Sequence, residues 1–226
     1  MNGDASYTRL IEAASAPYRS VDRFAWHFAR GRLRGDPVFC HLLRAQLIPE
    51  GARVLDLGCG QGLLAALLSV ACAPRVAAYR GIELRPRDVA RAQRALGADC
   101  GVETGDIRVA AFGVADAIVI LDVLHYMAQA AQDGVLRRAR QALGGGGVLL
   151  LRVGDAAAGL PFRFGNWVDW TAALARGRGA IRFHCRSVAQ WRSALEALDF
   201  HVHAEPMSRG TPFANVLLQA RIAKKT

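Results

Sequence analysis

A glycine-rich turn near residue 60 is the part of the sequence best suited to hold a ligand. Asp56 ends a short apolar run, and glycines follow at positions 58, 60 and 62, before a helix-like stretch that begins at Leu63. Glycines let backbone N–H groups approach a bound molecule, and a helix that starts there points its positive end at the same place. The turn is therefore predicted to bind a ligand with polar oxygens. Leu63 stands where a dinucleotide fingerprint has its third glycine, which disfavours an NAD site.

Short apolar runs alternate with helical stretches after residue 49, and these elements must position the turn. Fully apolar strands separated by helices are typical of a mostly parallel sheet that is covered on both faces. We therefore predict an α/β fold with a doubly wound sheet. Because few residues separate the last two runs, we expect them to form an antiparallel hairpin. The predicted strands are 53–57, 75–84, 100–104, 115–121, 147–153, 200–204 and 215–222, and the predicted helices are 62–72, 86–96, 130–143 and 187–198.

The turn resembles the first motif of the class I S-adenosylmethionine-dependent methyltransferase family, which reads acid-x-G-x-G-x-G and spans Asp56 to Gly62 here. Four further motifs follow in family order, so that the resemblance covers about residues 50–222. They are Gly81-Ile82-Glu83-Leu84, Thr104-Gly105-Asp106-Ile107, the run 116–126 and the run 143–150. The resemblance implies a seven-stranded, mostly parallel, Rossmann-like sheet with an antiparallel last strand, S-adenosylmethionine as the cofactor, and methyl transfer as the activity.

The resemblance also implies a cofactor role for each motif. Glu83 would accept hydrogen bonds from both ribose hydroxyls, because a carboxylate offers several lone pairs to paired O–H donors. Asp106 would receive the adenine amino group, and Ile107 would lie beside the ring. The implied cofactor-binding residues are Asp56, Gly58, Cys59, Gly60, Gly62, Glu83, Leu84, Asp106, Ile107 and Asp122.

His125 and Tyr126 follow the fourth predicted strand, at the end where open α/β sheets carry their active groups. An activated methyl group needs an aligned nucleophile and, for some acceptors, a base. Neutral imidazole can take a proton from a phenol or hydroxyl near pH 7, which makes His125 the best candidate for that base, with Tyr126 beside it. The alternative is that both residues only pack against the methionine part of the cofactor.

A single domain is predicted for residues 1–226. Within it, Phe24, Phe28 and residues 42–43 are expected to lie on the apolar face of the N-terminal helices. The four predicted parts are a helical cap over 1–48, a cofactor-binding half over 49–154, an insertion or lid over 155–186, and a C-terminal helix and hairpin over 187–226.

The cap and the insertion are both rich in arginine and aromatic residues, and the resemblance implies that they cover the acceptor. Apolar rings with a basic rim suit a flat or long hydrophobic acceptor that carries an acidic group. The alternative is that the rings belong to the core and the arginines to solvated faces. The candidate acceptor-binding residues are Phe24, Trp26, Arg30, Phe164, Trp167 and Arg182.

The charge distribution favours an acidic partner. The formal net charge is +10, with 27 Arg and 2 Lys, and it divides into +2 over 1–50, +2 over 51–155 and +6 over 156–226. The excess therefore falls mainly outside the cofactor-binding half, which favours an anionic small molecule or one bound to an acidic acyl carrier protein. An RNA-modifying methyltransferase with a basic face is the alternative. Both lysines lie in the tail, at Lys224 and Lys225, so the lysine-containing tetrad of ribose 2′-O-methyltransferases cannot form.

Two further segments carry a second resemblance, which restricts the chemical class of the acceptor. Residues 28–37 and 210–218 are similar to those of bacterial methyltransferases of aryl-polyene or polyketide-type pathways. This resemblance implies a phenolic or acyl acceptor, with an acyl carrier protein as a candidate partner. A protein that binds the cofactor without catalysis, as a partner in a complex, is the third hypothesis.

Neither a metal site nor a membrane segment is predicted. The five cysteines lack C-x-x-C spacing, and His201 and His203 lack the helical spacing of a zinc motif. The most apolar stretch, residues 63–73, is too short to span a bilayer, and the first twenty residues lack the apolar run of a secretory signal. We therefore predict a cytoplasmic protein without a membrane span.

Overall fold

The computed structural model describes residues 2–157, 183–208 and 214–222. They belong to two compact units, Met1–Val119 and Ile120–Thr226. The division into cap, cofactor-binding half, insertion and C-terminal part stays a prediction. The expected acceptor contacts Phe164, Trp167 and Arg182 lie outside the described residues.

Two aspartates cap α-helices near the start of the first unit. The Asp22 carboxylate accepts a hydrogen bond from the backbone N–H of Ala25 at 2.6 Å, and that of Asp36 accepts one from Val38 at 3.1 Å. Such caps satisfy N–H groups that have no partner within the helix. The elements are α1 (Asn2–Ser15), a 3₁₀ helix (Ala16–Ser20), α2 (Arg23–Gly35) and α3 (Pro37–Arg44).

The predicted apolar face of α2 is wrong at Phe24, whose side chain is 62% exposed. The buried face consists of Ala25, Ala29 and Leu33, at intervals of four residues, and the two small alanines allow close packing. Phe24 instead stacks on Phe28, with 6.1 Å between the ring centroids. The aromatic pair therefore lies beside the packed face of the helix and not on it.

Parallel strands form the sheet of the first unit. Strand β1 pairs with β2, where Asp56 lies opposite Gly81, and with β4, where Asp56 lies opposite Val119. β2 also pairs with β3 in parallel. The strands are β1 (Arg53–Leu57), β2 (Ala78–Glu83), β3 (Val102–Thr104) and β4 (Ala115–Leu121), and the helices between them are α4 (Leu63–Val70) and α5 (Pro86–Leu96).

The second unit contains the antiparallel strands. A 3₁₀ helix (Leu124–Tyr126) precedes α6, and Ser187 caps α7 in a reciprocal capping box with Gln190. β7 runs antiparallel to both β5 and β6, which confirms the predicted hairpin. β5 begins at Leu143, before its predicted start at residue 147. The earlier start was not predicted because the glycine run 144–147 has no apolar pattern by which a strand is recognised. The elements are α6 (Gln129–Ala142), β5 (Leu143–Gly154), α7 (Val188–Glu196), β6 (Phe200–Pro206) and β7 (Asn215–Ile222).

Seven strands form one mixed sheet in the order β3-β2-β1-β4-β5-β7-β6. This order and the antiparallel β7 confirm the predicted α/β, Rossmann-like fold class. Among the residues that the structure describes, no helix is both long and apolar enough to cross a membrane.

Candidate functional site

The glycine turn joins β1 to α4 in a conformation that requires glycine. Gly58, Gly60 and Gly62 have φ angles of 78°, 58° and 73°, which L side chains rarely adopt. The Gly58 N–H donates to the carbonyl of Ile82 at 2.7 Å, so the turn folds against the end of β2. Since α4 begins at the next residue, Leu63, its positive N-terminal end opens on this turn.

Glu83 connects the turn to the end of β2. Its Oε2 accepts a hydrogen bond from the Gly60 N–H at 3.0 Å, and its Oε1 accepts one from the Arg85 N–H at 2.9 Å. Each carboxylate oxygen has two lone pairs, so both oxygens retain capacity for a further donor. Glu83 can therefore hold the turn and accept hydrogen bonds from a pair of ligand hydroxyls.

The space beside the turn fits the cofactor that the sequence implies. A Cβ built on Gly60 would meet no atom of the described residues within 4 Å, so the backbone there is open to a ligand. A Cβ on Gly81 would instead lie 2.7 Å from the Cys59 Sγ, so glycine is needed at position 81 for the turn to lie against β2. In the sequence, Gly81 is marked only as part of a motif, and nothing there indicates this packing role.

Asp56 lies behind the turn and is almost completely buried. Its Oδ2 accepts a hydrogen bond from the Tyr79 hydroxyl at 2.7 Å, which connects β1 to β2. Burial raises the pKa of Asp56 to about 7, the Tyr79 hydrogen bond opposes that rise, and the charge of Glu83 adds to it. The structure thus gives one carboxylate oxygen of Asp56 a partner within the protein, and its cofactor role stays a prediction.

Replacing Asp56 with asparagine is expected to flatten the pH dependence of stability. In the unfolded chain an aspartate has a pKa of about 3.9, so raising the pH above that value favours ionisation of the unfolded state first. The folded pKa is about 7. The contribution of Asp56 is therefore fully present below pH 4 and is lost as the pH rises through 7.

Urea unfolding at pH 5, 6, 7 and 8 measures this effect. Between pH 5 and 8 the wild type should lose about 2–3 kcal/mol relative to Asp56→Asn, whose amide oxygen can still accept from Tyr79. The comparison cancels the contribution of every other titrating group. Equal pH dependence of the two proteins would show that Asp56 is already ionised at pH 5.

The remaining predicted cofactor contacts of the first unit differ in exposure. Leu84 is exposed, Ile107 is buried, and Cys59 is partly buried, which raises the pKa of its thiol. The Asp106 carboxylate accepts hydrogen bonds from the guanidinium of Arg108, with 2.6 Å between Oδ2 and Nη2. Arg108 was not predicted from the sequence. Because its guanidinium pairs with Asp106, any adenine contact of Asp106 would be made beside a positive charge.

Tyr18 is a second residue that sequence analysis missed. Its hydroxyl donates to the carbonyl oxygen of Gln61 in the glycine turn at 2.6 Å, and its side chain is fully buried. Gln61 Nε2 in turn donates to Asp88 Oδ1 at 3.4 Å. These bonds fix the turn from the N-terminal segment and from α5. In the sequence, the only feature that could have drawn attention to Tyr18 is its position after Pro17.

Asp122 and Arg152 form an ion pair in the second unit, in which the aspartate side chain is 28% exposed. The Arg152 side chain is 1% exposed, and its Nε donates to Asp122 Oδ1 at 2.9 Å, while its Nη2 contacts Asp122 Oδ2. Asp122 has a left-handed backbone, with φ of 59°. Sequence analysis predicted Asp122 as a cofactor residue but missed Arg152, for which a lone charge in an apolar strand was the available signal.

His125 and Tyr126 lie in an aromatic cluster with Phe183. The His125 ring centroid is 4.2 Å from that of Tyr126 and 5.5 Å from that of Phe183. Burial lowers the pKa of His125, and the negative charge of Asp122 opposes this effect. The imidazole is therefore neutral near pH 7, which is the form that a general base needs.

The described cap residues among the expected acceptor contacts are Phe24, Trp26 and Arg30. Arg30 forms an ion pair with Glu12 at 2.7 Å, and the Arg19 guanidinium lies 4.8 Å from the centre of the Trp26 rings. Phe24 is exposed and could meet a ligand directly. Across the described ranges, no three metal-ligating side chains are grouped closely enough to hold an ion.

The fold and the glycine turn define a class I methyltransferase. The methyltransferase-domain family matches residues 25–205, so the chain belongs to that family. This match confirms the resemblance to S-adenosylmethionine-dependent methyltransferases that the sequence motifs indicate.

One relative and two solved structures illustrate the similarity. The chain is 35% identical over 106 residues to carboxy-S-adenosyl-L-methionine synthase of Chromohalobacter salexigens, a match that spans 45% of this chain and 39% of that protein. The fold is similar to magnesium protoporphyrin IX methyltransferase of Synechocystis with bound SAH, with a TM-score of 0.61, 19% identity, and coverage of 89% of both chains. Human N-acetylserotonin methyltransferase in complex with SAM gives a TM-score of 0.63 at 16% identity, over 87% of this chain and 54% of that one.

Proposed function

We propose that this protein transfers the methyl group of its cofactor, S-adenosylmethionine, to an oxygen or carbon of a hydrophobic small molecule of phenolic or acyl type. The cofactor, when bound, supplies a methyl group that is activated by its sulfonium charge. The observation that carries the proposal is the pairing of the open glycine turn with the Glu83 carboxylate, whose oxygens accept from Gly60 and Arg85.

Each cofactor contact has a physical basis in the first unit. Glu83 would accept hydrogen bonds from the ribose hydroxyls, the turn would present its backbone to the methionine part, and Leu84 and Ile107 would offer apolar surface to the adenine. Asp106 completes the proposed set of the first unit.

We assign the general base to His125, with Tyr126 beside it. A neutral imidazole can remove the proton of an acceptor hydroxyl, and the depressed pKa of His125 keeps it neutral across the physiological range. The neighbouring rings of Tyr126 and Phe183 limit the orientations that the imidazole can take.

Substituting His125 with glutamine is expected to lower kcat about 10²–10⁴-fold, because general-base catalysis contributes on that scale. The wild-type rate should fall on the acid side of pH 6.5 as His125 becomes protonated, and this fall should be absent in the variant. Calorimetric affinity for S-adenosylmethionine should be unchanged. Tyr126→Phe tests the neighbouring residue separately, since it keeps the ring and removes only the hydroxyl. A His125→Gln enzyme with the wild-type rate and pH profile would remove His125 from the chemistry.

The acceptor class rests on the composition of the cap and on its exposed ring. Phe24 presents apolar surface, and Arg23 and Arg34 are exposed on the same helix. This combination favours a hydrophobic acceptor with an acidic group, free or bound to an acidic acyl carrier protein in the cytoplasm. RNA with the same negative charge is the alternative acceptor.

Mass spectrometry of methylated products distinguishes these acceptors. The protein is incubated with S-adenosylmethionine and, in separate reactions, a small-molecule extract, phenolic and acyl conjugates of carrier protein, and total RNA. A mass increase of one methyl group in a small molecule or a carrier conjugate supports the proposal. Methylated nucleosides alone would overturn the acceptor class while leaving the activity in place.

A further inference from the structure

The Gln132 side chain hydrogen-bonds to three backbone carbonyls in the segments that contain or contact the candidate base. Its side chain is completely buried on α6. The Nε2 atom lies 3.1 Å from the carbonyl oxygen of Leu124, 3.0 Å from that of Met127 and 2.6 Å from that of His184. Three carbonyl acceptors around one nitrogen determine the orientation of the amide, because its oxygen would be repelled there.

Two of these carbonyls flank the residues assigned to chemistry. Leu124 and Met127 lie on either side of His125 and Tyr126 in the chain. The third carbonyl belongs to His184, which is 52 residues after Gln132. A second bond ties that segment to the base itself, because the His184 N–H donates to the His125 carbonyl at 2.9 Å. Phe183, which precedes His184, provides the third ring of the aromatic cluster.

We propose that Gln132 is a positioning residue that sets the orientation of His125 and Tyr126 by holding the backbone on both sides of them. The inference rests on the proposed function, in which His125 is the base. A leucine at this position would fill a similar volume but would remove the donor that Nε2 presents to the carbonyls of Leu124, Met127 and His184. The position therefore requires hydrogen-bond donation and not only packing.

Three variants of the full-length protein test the role. Gln132→Leu removes the donor, whereas Gln132→Glu retains the shape and can donate only when its carboxyl group is protonated. Gln93→Leu is the matched control, because Gln93 Nε2 also donates to a backbone carbonyl, that of Val102, at 3.0 Å. Hydrogen exchange of residues 122–127 and 183–186 measures how firmly the backbone is held.

A second readout follows the orientation of the base. The pKa of His125 is measured by NMR titration of the imidazole Cε1–H signal, which is assigned by its absence in His125→Gln. Asp122, Tyr126 and His184 are the titratable neighbours, and all three are retained in the Gln132 variants. In Gln132→Leu we expect exchange at the His184 amide to accelerate about tenfold or more, and the His125 pKa to rise toward its ordinary value as burial is lost.

The Gln132→Glu variant tests whether hydrogen-bond donation by this side chain is what holds the backbone. Surrounded by carbonyl oxygens, its carboxyl group should hold its proton at low pH, so protection of residues 122–127 should approach that of the wild type at pH 6 and decline by pH 8.5. If only packing volume mattered, Gln132→Leu would protect these residues as well as the wild type does at every pH. Unchanged exchange and unchanged His125 titration in Gln132→Leu, or equal effects of Gln93→Leu at the same residues, would overturn the proposal.

Failure of this inference is separable from failure of the proposed function. S-adenosylmethionine affinity and methyl transfer are measured on the same wild-type sample. If the wild type neither binds the cofactor nor transfers a methyl group, the proposed function fails whatever the exchange data show. If it does both and Gln132→Leu leaves the exchange and the His125 pKa unchanged, only the positioning role fails.

Discussion

Replacing Arg152 with methionine is expected to lower the free energy of unfolding by about 3 kcal/mol, the low end of the cost of removing one partner from a buried ion pair, because the Asp122 side chain left behind is 28% exposed. Methionine fills a similar length of buried space, so little of this loss would come from a cavity. The loss arises because the Asp122 carboxylate keeps its charge but loses the guanidinium that donates to both of its oxygens. Urea unfolding at pH 7 measures it.

Arg53→Met provides the matched control for Arg152→Met. Arg53 also donates to both oxygens of an aspartate, Asp116, but the two side chains of this pair are 49% and 40% exposed. Such a pair contributes little to stability, since solvent screens it. The double variant Arg152→Met with Asp122→Asn should recover part of the stability by removing the charge that the guanidinium no longer balances. An Arg152→Met protein that loses no more than Arg53→Met would contradict the buried-pair account.

The Glu83→Ala substitution is expected to lower S-adenosylmethionine affinity about 100-fold or more. Two hydrogen bonds from ribose hydroxyls to a carboxylate contribute about 1.5–3 kcal/mol each. The substitution also removes the acceptor of the Gly60 and Arg85 N–H groups, so the turn loses part of its support. Isothermal titration calorimetry with S-adenosylmethionine and with its demethylated product measures the change.

Glu83→Gln and Glu103→Ala sharpen this experiment. The glutamine variant retains one acceptor oxygen but places an amide N–H against a backbone N–H, so its affinity should fall between those of the wild type and the alanine variant. Glu103 is an acid on the neighbouring strand that pairs with Arg80 at 2.5 Å and has no proposed cofactor contact. Its replacement should leave affinity unchanged. Tight binding that survives Glu83→Ala would place the cofactor elsewhere.

The sequence predicted those parts of the site whose signals are local. Gly58, Gly60 and Gly62 could be found because a turn with positive φ angles requires glycine at each position. Glu83 could be found because it ends the next strand in the order that the family motifs follow. Both predictions depended on a few neighbouring residues and on strand alternation, which a single sequence contains.

The sequence did not predict contacts between distant segments. Arg152 lies 30 residues from Asp122, and Gln132 lies 52 residues from His184, so no spacing rule connects them. Phe24 was misplaced for a different reason: its hydrophobicity suggested the core, but the small side chains of Ala25 and Ala29 allowed the other face of α2 to pack. Such choices are made by tertiary packing.

Transfer of tritium from methyl-labelled S-adenosylmethionine tests the central claim most directly. Wild type and Glu83→Ala are incubated with a whole-cell extract that contains small molecules, proteins and RNA, and the label is counted in the organic, protein and RNA fractions. The account predicts label in the organic or carrier-protein fraction, in amounts equal to the S-adenosylhomocysteine formed, and a loss with Glu83→Ala that parallels its weaker binding. A wild-type protein that binds the cofactor but transfers label to none of these fractions, or to RNA alone, would contradict the account.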